Sequence, residues 1–313
     1  MSAPTPAAVA PGIVEIDTLL GGWRQTTAGY LVGDEQPVLI ETGSQSSVPT
    51  VLEALAGLGL GPDDLSGIAV THIHLDHAGG VGDLAAHFPR ATVYVHELGA
   101  RHLVDPSRLV ASAARVYGDK LDGLYGRLEP TEAGRIVVLG DGEALPVDGR
   151  RVLAVDSPGH AKHHLGFFDE ESGLLFAGDA VGVRLPDIGV LRPATPPPDF
   201  DLELALASLA RFAAHSPAAI VLAHYGVVPG EAAAVLADAA ETLRSWAGVA
   251  RGAFLAGNDI ATALEGAFGG DFSHLDDAAR HRAETLNGIH SNADGFRRWL
   301  ETTAAPAEGE PQP

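Results

Sequence analysis

The chain contains no cysteine. It therefore cannot form disulfide bonds, and it has no thiol for redox chemistry. Lysine is almost as scarce, since only Lys120 and Lys162 occur. The 20 basic residues stand against 41 acidic ones, which gives a formal net charge of −21. Because proteins bind phosphate backbones largely through cationic groups that release counterions, a nucleic-acid partner is not expected.

Long apolar runs are also missing. No stretch approaches the roughly 18 consecutive apolar residues that a membrane span requires, although hydrophobic residues make up 46% of the 313 residues. The N-terminal segment lacks the positive region and the apolar core of a signal peptide. These absences predict a cytoplasmic protein with a substantial core and no membrane partner.

Histidine, by contrast, is concentrated after one predicted strand. Residues 71–80 read Thr-His-Ile-His-Leu-Asp-His-Ala-Gly-Gly, directly after an apolar, β-branched run. His72 and His74 alternate, so in an extended segment both point to one side and can share an ion. Asp76 and His77 lie around the bend and can reach a second ion. Imidazole nitrogen combined with carboxylate oxygen is the ligand set of zinc, iron or manganese.

Three further apolar runs predict strands that end in a residue able to bind a metal ion. These residues are His160, in Ser-Pro-Gly-His, Asp179, in Gly-Asp, and His224. Catalytic groups concentrate at strand ends because a rigid sheet positions them. A single aspartate after a strand can equally cap a turn, but four such strand ends in one chain favour a two-metal site.

The ordered motifs His-x-His-x-Asp-His, Pro-Gly-His, Gly-Asp and a last histidine resemble the metallo-β-lactamase superfamily. Within it, the chain is similar to the glyoxalase-II-like hydrolases over about residues 10–228. The resemblance implies an α/β fold, an αββα sandwich of two mixed β-sheets flanked by helices. It also implies the ligands, namely His72, His74 and His160 for metal one, Asp76, His77 and His224 for metal two, and Asp179 as a bridge. Zinc β-lactamases with a cysteine ligand are excluded by composition.

The resemblance implies a dinuclear hydrolase that uses a metal-bridging hydroxide to cleave a small ester, thioester or lactone. Two divalent ions, zinc first with iron or manganese as alternatives, can lower the pKa of a shared water. Asp76 is the candidate catalytic residue, because it lies beside that hydroxide and can orient it or carry its proton. Three alternatives stay open: a mononuclear-iron oxidoreductase of the persulfide dioxygenase type, a phosphodiesterase, and a non-catalytic metal-binding scaffold.

Candidate substrate-binding residues follow two of the ligands. Arg184 and Arg192 flank the segment after Asp179 and could hold a substrate carboxylate by a two-pronged hydrogen bond, salt bridges within the protein being the alternative. Tyr225 follows His224 and could donate to an oxyanion or serve in packing. The expected partner is a small-molecule substrate that can be anionic.

Other polar residues near the motifs are predicted to support the structure or the metal ligands. Asp34 and Glu41 end predicted strands at the rim and are interpreted as structural. Of His163 and His164, one is expected to orient a metal ligand.

The rest of the chain is expected to be organised around this domain, with a homodimer through the helical segments as an open possibility. The predicted segments are a flexible leader at 1–10, the metallo-β-lactamase domain at 11–228 with a helical insertion at 97–135, a helical C-terminal region at 229–301 and a disordered tail at 302–313.

Overall fold

The first of two β-sheets has seven strands. The computed structural model describes residues 4–304, apart from the side chains of Val116 and Ala304. The first four strands are antiparallel and the last four run parallel, so the sheet is mixed. In spatial order the strands are β1 (Ala7–Ala10), β2 (Ile13–Asp17), β3 (Ala28–Val32), β4 (Val38–Ile40), β5 (Gly67–Ala69), β6 (Thr92–His96) and β7 (Ile136–Leu139).

The second sheet has six strands and is also mixed, because one parallel pair lies among antiparallel pairs. Its spatial order is the reverse of the chain order. The strands, in chain order, are β8 (Ala144–Leu145), β9 (Val152–Asp156), β10 (Leu165–Asp169), β11 (Leu174–Phe176), β12 (Ala219–Leu222) and β13 (Gly226–Val227).

Eleven α-helices lie in the described part of the chain, and none of them is both long and apolar enough to cross a bilayer. They are α1 (Val48–Gly57), α2 (Leu75–Ala78), α3 (Val81–His87), α4 (Glu97–Val104), α5 (Ser107–Tyr117), α6 (Leu121–Leu124), α7 (Leu202–Ala214), α8 (Ala232–Leu255), α9 (Ile260–Phe268), α10 (Asp277–Asn287) and α11 (Ile289–Ala304).

The two sheets pack face to face because the apolar residues of their strands alternate. In β4, Val38 and Ile40 face the second sheet, where they join the same core as Phe167. Leu39, between them, packs on the other side, in the core that includes helix α1. The outer face of the second sheet is covered by α7 and α8. Burial of each large apolar side chain in these cores contributes roughly 1.5–3 kcal/mol to folding stability. This four-layer arrangement confirms the αββα sandwich of two mixed sheets.

The ends of the chain differ from the sequence expectation. The prediction of a flexible leader over residues 1–10 is wrong for its last residues, because Ala7–Ala10 pairs with β2 as an edge strand. The predicted start of the disordered tail, residue 302, is too early, since α11 continues to Ala304. Residues 305–313 lie outside the described part of the chain.

Candidate metal centre

Seven side chains from both sheets converge at one edge of the sandwich. His72 and His74 follow β5, and Asp76 and His77 belong to the short helix α2. The other three, His160, Asp179 and His224, follow β9, β11 and β12 of the second sheet. Strands β11 and β12 are parallel neighbours, so Asp179 and His224 leave the sheet at the same edge.

The first group of converging atoms is made of three histidines. Nε2 of His72 lies 2.9 Å from Nδ1 of His74, which lies 3.0 Å from Nε2 of His160. Nitrogens bound to one tetrahedral zinc ion are roughly 3.3 Å apart, from Zn–N distances of about 2.0–2.1 Å. Burial lowers the pKa of all three imidazoles. The three rings are therefore kept in the neutral form that binds a metal ion.

The second group joins two histidines to a carboxylate. Nε2 of His77 lies 3.2 Å from Nε2 of His224. Asp76 approaches both, with Oδ1 3.8 Å from His77 Nε2 and Oδ2 3.5 Å from His224 Nε2. Burial alone would raise the pKa of Asp76, but the two histidines outweigh it and hold that pKa below its usual range. These atoms could hold a second ion.

Asp179 lies between the two groups. Its Oδ2 is 3.6 Å from Nε2 of His160, and its Oδ1 is 3.5 Å from Nε2 of both His77 and His224. Oδ1 is buried and accepts no hydrogen bond from the described residues. A buried carboxylate oxygen without a donor is costly. The donor set and this orphaned oxygen therefore fit divalent metal ions.

Hydrogen bonds on the far side of the rings fix which nitrogen faces the centre. Nδ1 of His160 donates to the carbonyl of Ala194, and Nδ1 of His224 donates to the carbonyl of Thr26, each at 2.9 Å. A carbonyl can only accept, so both hydrogens are on Nδ1. The Nε2 lone pairs are consequently left for an ion.

Glu41 belongs to this centre, although the sequence placed it at the rim as a structural residue. Its Oε2 lies 3.2 Å from Nδ1 of His77, and its Oε1 accepts a hydrogen bond from the Thr71 amide at 3.1 Å. The side chain is buried. Burial lowers the pKa of His77, but Asp179, Asp76 and Glu41 outweigh it and raise that pKa. The only signal in the sequence was an acidic residue directly after the apolar run of β4.

We expect Glu41→Gln to weaken metal binding at the second group by about 10–100-fold, because an amide cannot supply the charge that orients His77. Competition titration with a chelating dye measures this affinity. Asp34→Asn is the matched control, since Asp34 is also an acidic residue shortly after a strand, β3, but is exposed. Equal affinities in both variants would remove Glu41 from the centre.

His164 also supports the centre, as expected for one of the two adjacent histidines. Its Nε2 accepts a hydrogen bond from the Asp179 amide at 3.2 Å, and its Nδ1 lies 2.8 Å from the Ser157 hydroxyl. His163 instead packs beside the first group, where burial lowers its pKa to about 4. The backbone of Asp179 is thus held by a fully buried side chain.

Arg192 takes the alternative role that the sequence left open, a salt bridge within the protein. Its guanidinium is buried, lies 3.5 Å from Asp271 and 3.4 Å from Glu284, and stacks on the ring of Phe272 at 3.4 Å from its centroid. It is therefore paired within the protein and joins the segment after Asp179 to the C-terminal helices.

Tyr225 is packed rather than directed at the centre. Its side chain is 9% exposed within the core between the sheets. Burial raises the pKa of its hydroxyl, and the nearby carboxylate of Glu15 adds to the effect. This position agrees with the packing alternative, and the oxyanion role stays a prediction. Arg184 is half-buried, and its main chain bonds to that of His224 and Tyr225. Its side chain does not line the cleft described next, so a substrate role for it stays a prediction.

A cleft of about 790 Å³ opens over the metal-competent groups. One wall comes from the helical insertion, and it includes Tyr117 and Tyr125, whose rings lie 4.6 Å apart. The opposite wall comes from α10 and α11 and includes Asn287 and Asn292. Both tyrosines lie far along the chain from every ligand motif, so no local pattern predicts their place in the cleft.

The C-terminal helices also hold the loop that orients His160. Asn292 accepts a hydrogen bond from the Thr195 amide at 2.8 Å, and Asn287 donates to the Pro193 carbonyl at 3.1 Å. The intervening carbonyl, that of Ala194, is the one that accepts from His160. Helix α11 approaches this loop so closely that a Cβ on Gly295 would overlap the carbonyl oxygen of Thr195.

Comparison with protein families identifies the class of protein to which this fold and these seven side chains belong. The model of the metallo-beta-lactamase superfamily matches residues 21–224. The chain belongs to this superfamily. Among solved structures, a metallo-beta-lactamase family protein, TTHA1429 from Thermus thermophilus, matches with a TM-score of 0.68 and 23% identity over 97% of this chain and 98% of that one. At that identity the likeness shows the fold alone.

Curated relatives share parts of the sequence. A metallo-beta-lactamase fold-containing protein, ST1585 of Sulfurisphaera tokodaii, is 29% identical over 64% of this chain and 73% of its own length. An atrochrysone carboxyl ACP thioesterase of Aspergillus chevalieri is 32% identical over 51% of this chain and 42% of its own length. A hydroxyacylglutathione hydrolase of Synechococcus sp. is 31% identical over 49% of this chain and 48% of its own length. The chain thus spans less than half of the latter two relatives.

Proposed function

We propose that this protein is a dinuclear metal-dependent hydrolase of a small ester, thioester or lactone. The observation that carries the proposal is the position of Asp179, whose Oδ2 faces His160 while its Oδ1 faces His77 and His224. A carboxylate shared in this way can fix the separation of two ions. One relative is named a hydrolase and another a thioesterase, which supports hydrolysis of an activated acyl group.

Two divalent ions bound at these groups would lower the pKa of a shared water and polarise the scissile carbonyl. Nitrogen and oxygen donors without sulfur suit zinc, and they also suit iron or manganese. The carbonyls of Ala194 and Thr26 keep His160 and His224 in one tautomer. These two rings therefore stay in position without reorganisation during the reaction.

Asp76 is the proposed catalytic carboxylate. Its side chain is 17% exposed and lines the cleft, whereas that of His77 is 1% exposed. A substrate in the cleft can therefore approach Asp76 directly. Its pKa is held low by His77 and His224, so the carboxylate is ionised and can accept a hydrogen bond that orients the attacking water.

The test is metal content per chain, measured by elemental mass spectrometry on protein purified without chelator. It is paired with a hydrolysis screen of thioesters, esters and lactones. We expect close to two ions per chain, with turnover that a chelator abolishes and added zinc restores. One iron per chain, with oxygen uptake on a persulfide and no hydrolysis, would instead indicate the dioxygenase chemistry. Selective cleavage of phosphodiesters, or bound metal without any turnover, would also overturn the proposal.

A further inference from the structure

The insertion wall of the cleft carries two arginines that form no salt bridge among the described residues. Arg101 on α4 and Arg108 on α5 both line the cleft. In the described part of the chain, neither guanidinium has a carboxylate oxygen within 4.0 Å. Arg101 donates through Nε to Nε2 of His102 at 3.2 Å, which leaves its terminal nitrogens free. The chain as a whole has a net charge of −21, so two guanidinium groups without a salt bridge in one cleft are opposite in sign to its overall charge.

The other charged side chains of the cleft are already paired or belong to the metal centre. Lys162 lies 3.2 Å from Asp199, and Asp294 lies 3.3 Å from Arg297. The remaining carboxylates, Asp76 and Asp179, are within the metal-competent groups. The unbalanced charge of the cleft therefore comes from Arg101 and Arg108.

These two arginines are on the side of the first ligand group. Burial lowers the pKa of His102, and the charges of Arg101 and Arg108 lower it further, so both guanidinium groups are close to this ring. His163, which also lines the cleft, packs beside His74 with ring centroids 6.0 Å apart. The insertion wall thus extends from the cationic pair towards the metal-competent atoms.

The same wall presents apolar surface to the cleft. Leu109, Ala113 and Tyr117 are spaced by four residues on α5 and form one face that lines the cleft. Leu98 of α4 lines it too and is 45% exposed. None of the described side chains of α5 is buried. A substrate that covered this face would therefore gain hydrophobic free energy on binding.

We propose that the substrate is an amphiphilic anion, with an apolar acyl chain on the α5 face and a negatively charged group bound by Arg101 and Arg108. This inference rests on the proposed hydrolase function and names the substrate class of that site. A guanidinium recognises a carboxylate, sulfonate or phosphate through paired charge-assisted hydrogen bonds. The negative group therefore binds the insertion and not the C-terminal wall, whose polar side chains at the cleft are Asn287, Ser291, Asn292 and the carboxylate of Asp294.

The first experiment measures binding without turnover. The probe is hexane-1-sulfonate, a poor metal ligand, titrated calorimetrically into the metal-loaded chain, with 1-hexanol as the neutral counterpart. We expect the sulfonate to bind at least about tenfold more tightly than the alcohol, since hydrogen bonds to charged groups are worth about 1.5–3 kcal/mol. R101Q/R108Q should lose that preference. Arg115→Gln is the matched control, because Arg115 is exposed on the same helix α5 but does not line the cleft.

The second experiment measures turnover with two matched pairs of thioesters. One pair is the S-ethyl thioester of adipic acid and its methyl ester, with the charge on the acyl side. The other is the hexanoyl thioester of 3-mercaptopropionate and its methyl ester, with the charge on the thiol side. We expect the anionic member of one pair to have the lower KM, and R101Q/R108Q to remove that difference while kcat changes little. The responding pair identifies the charged side.

The outcomes separate the two proposals. No preference for the sulfonate, or an equal effect of Arg115→Gln, overturns the substrate assignment. Loss of the preference in Arg184→Gln, with R101Q/R108Q unaffected, also overturns it and locates the anion at Arg184 instead. Charge-selective binding without hydrolysis of any thioester supports the anion site and contradicts the hydrolase.

Discussion

Replacing Asp179 with alanine is expected to abolish turnover and to release metal from both groups, because this carboxylate faces each of them. Its oxygens lie 3.5–3.6 Å from Nε2 of three histidines. Without it, the groups lose their shared negative charge and nothing fixes the spacing of the ions. We expect kcat/KM to fall by on the order of 10³-fold or more, the scale of losing a centre that stabilises developing charge.

Elemental analysis and circular dichroism together check this prediction. We expect less than one ion per chain and an unchanged far-ultraviolet spectrum, since the sheets do not depend on this side chain. Asp179→Asn keeps the shape and removes the charge, so it should resemble the alanine variant. Asp199→Ala is the matched control, because Asp199 lines the same cleft but pairs with Lys162. Two ions retained with full activity in Asp179→Ala would refute the bridging role.

Gly295→Ala should destabilise the protein and selectively weaken the first ligand group. A Cβ at this position would overlap the carbonyl of Thr195, a backbone atom that cannot rotate away. Either α11 or the loop must move, at a cost of about 1–3 kcal/mol or more. Because the adjacent carbonyl of Ala194 holds Nδ1 of His160, displacement of the loop also reorients that ring.

Urea unfolding followed by tryptophan fluorescence measures the stability, since Trp246 and Trp299 are buried in the C-terminal core. Metal titration measures the affinity of each group. Gly248→Ala is the matched control, because Gly248 lies in α8 and a Cβ there meets no atom within 4 Å. That variant should gain about 0.5–1 kcal/mol of stability from helix propensity. Equal changes in both variants would show that the contact with Thr195 has no special effect.

The convergence of the seven side chains could be predicted from the sequence because each lies at or just after the end of an apolar strand. The residues that support these side chains could not be predicted in the same way. Glu41 reaches His77 only because β4 and β5 pair in parallel and because its backbone turns at a φ of 67°. Neither the pairing nor the turn is encoded in a local pattern.

Long-range partners explain the other differences. Arg192 is buried because Asp271 and Glu284 reach it from helices far along the chain, and no spacing rule connects these positions. The strand Ala7–Ala10 has the sequence Ala-Ala-Val-Ala, which favours no element strongly. It forms because β2 offers an unpaired edge. The fold class depends on the overall pattern, so it was predictable despite these local differences.

The metal-competent centre joins the two sheets, since His72, His74, Asp76 and His77 follow the first and His160, Asp179 and His224 follow the second. Ions held there would act as a cross-link between the two halves of the sandwich. By mass action, a ligand that binds only the folded chain stabilises it by about 2.7 kcal/mol at a free concentration of 100 times its Kd. Resistance to unfolding and proteolysis would then report the metal supply of the cell, so this chain would persist where the metal that serves its chemistry is available.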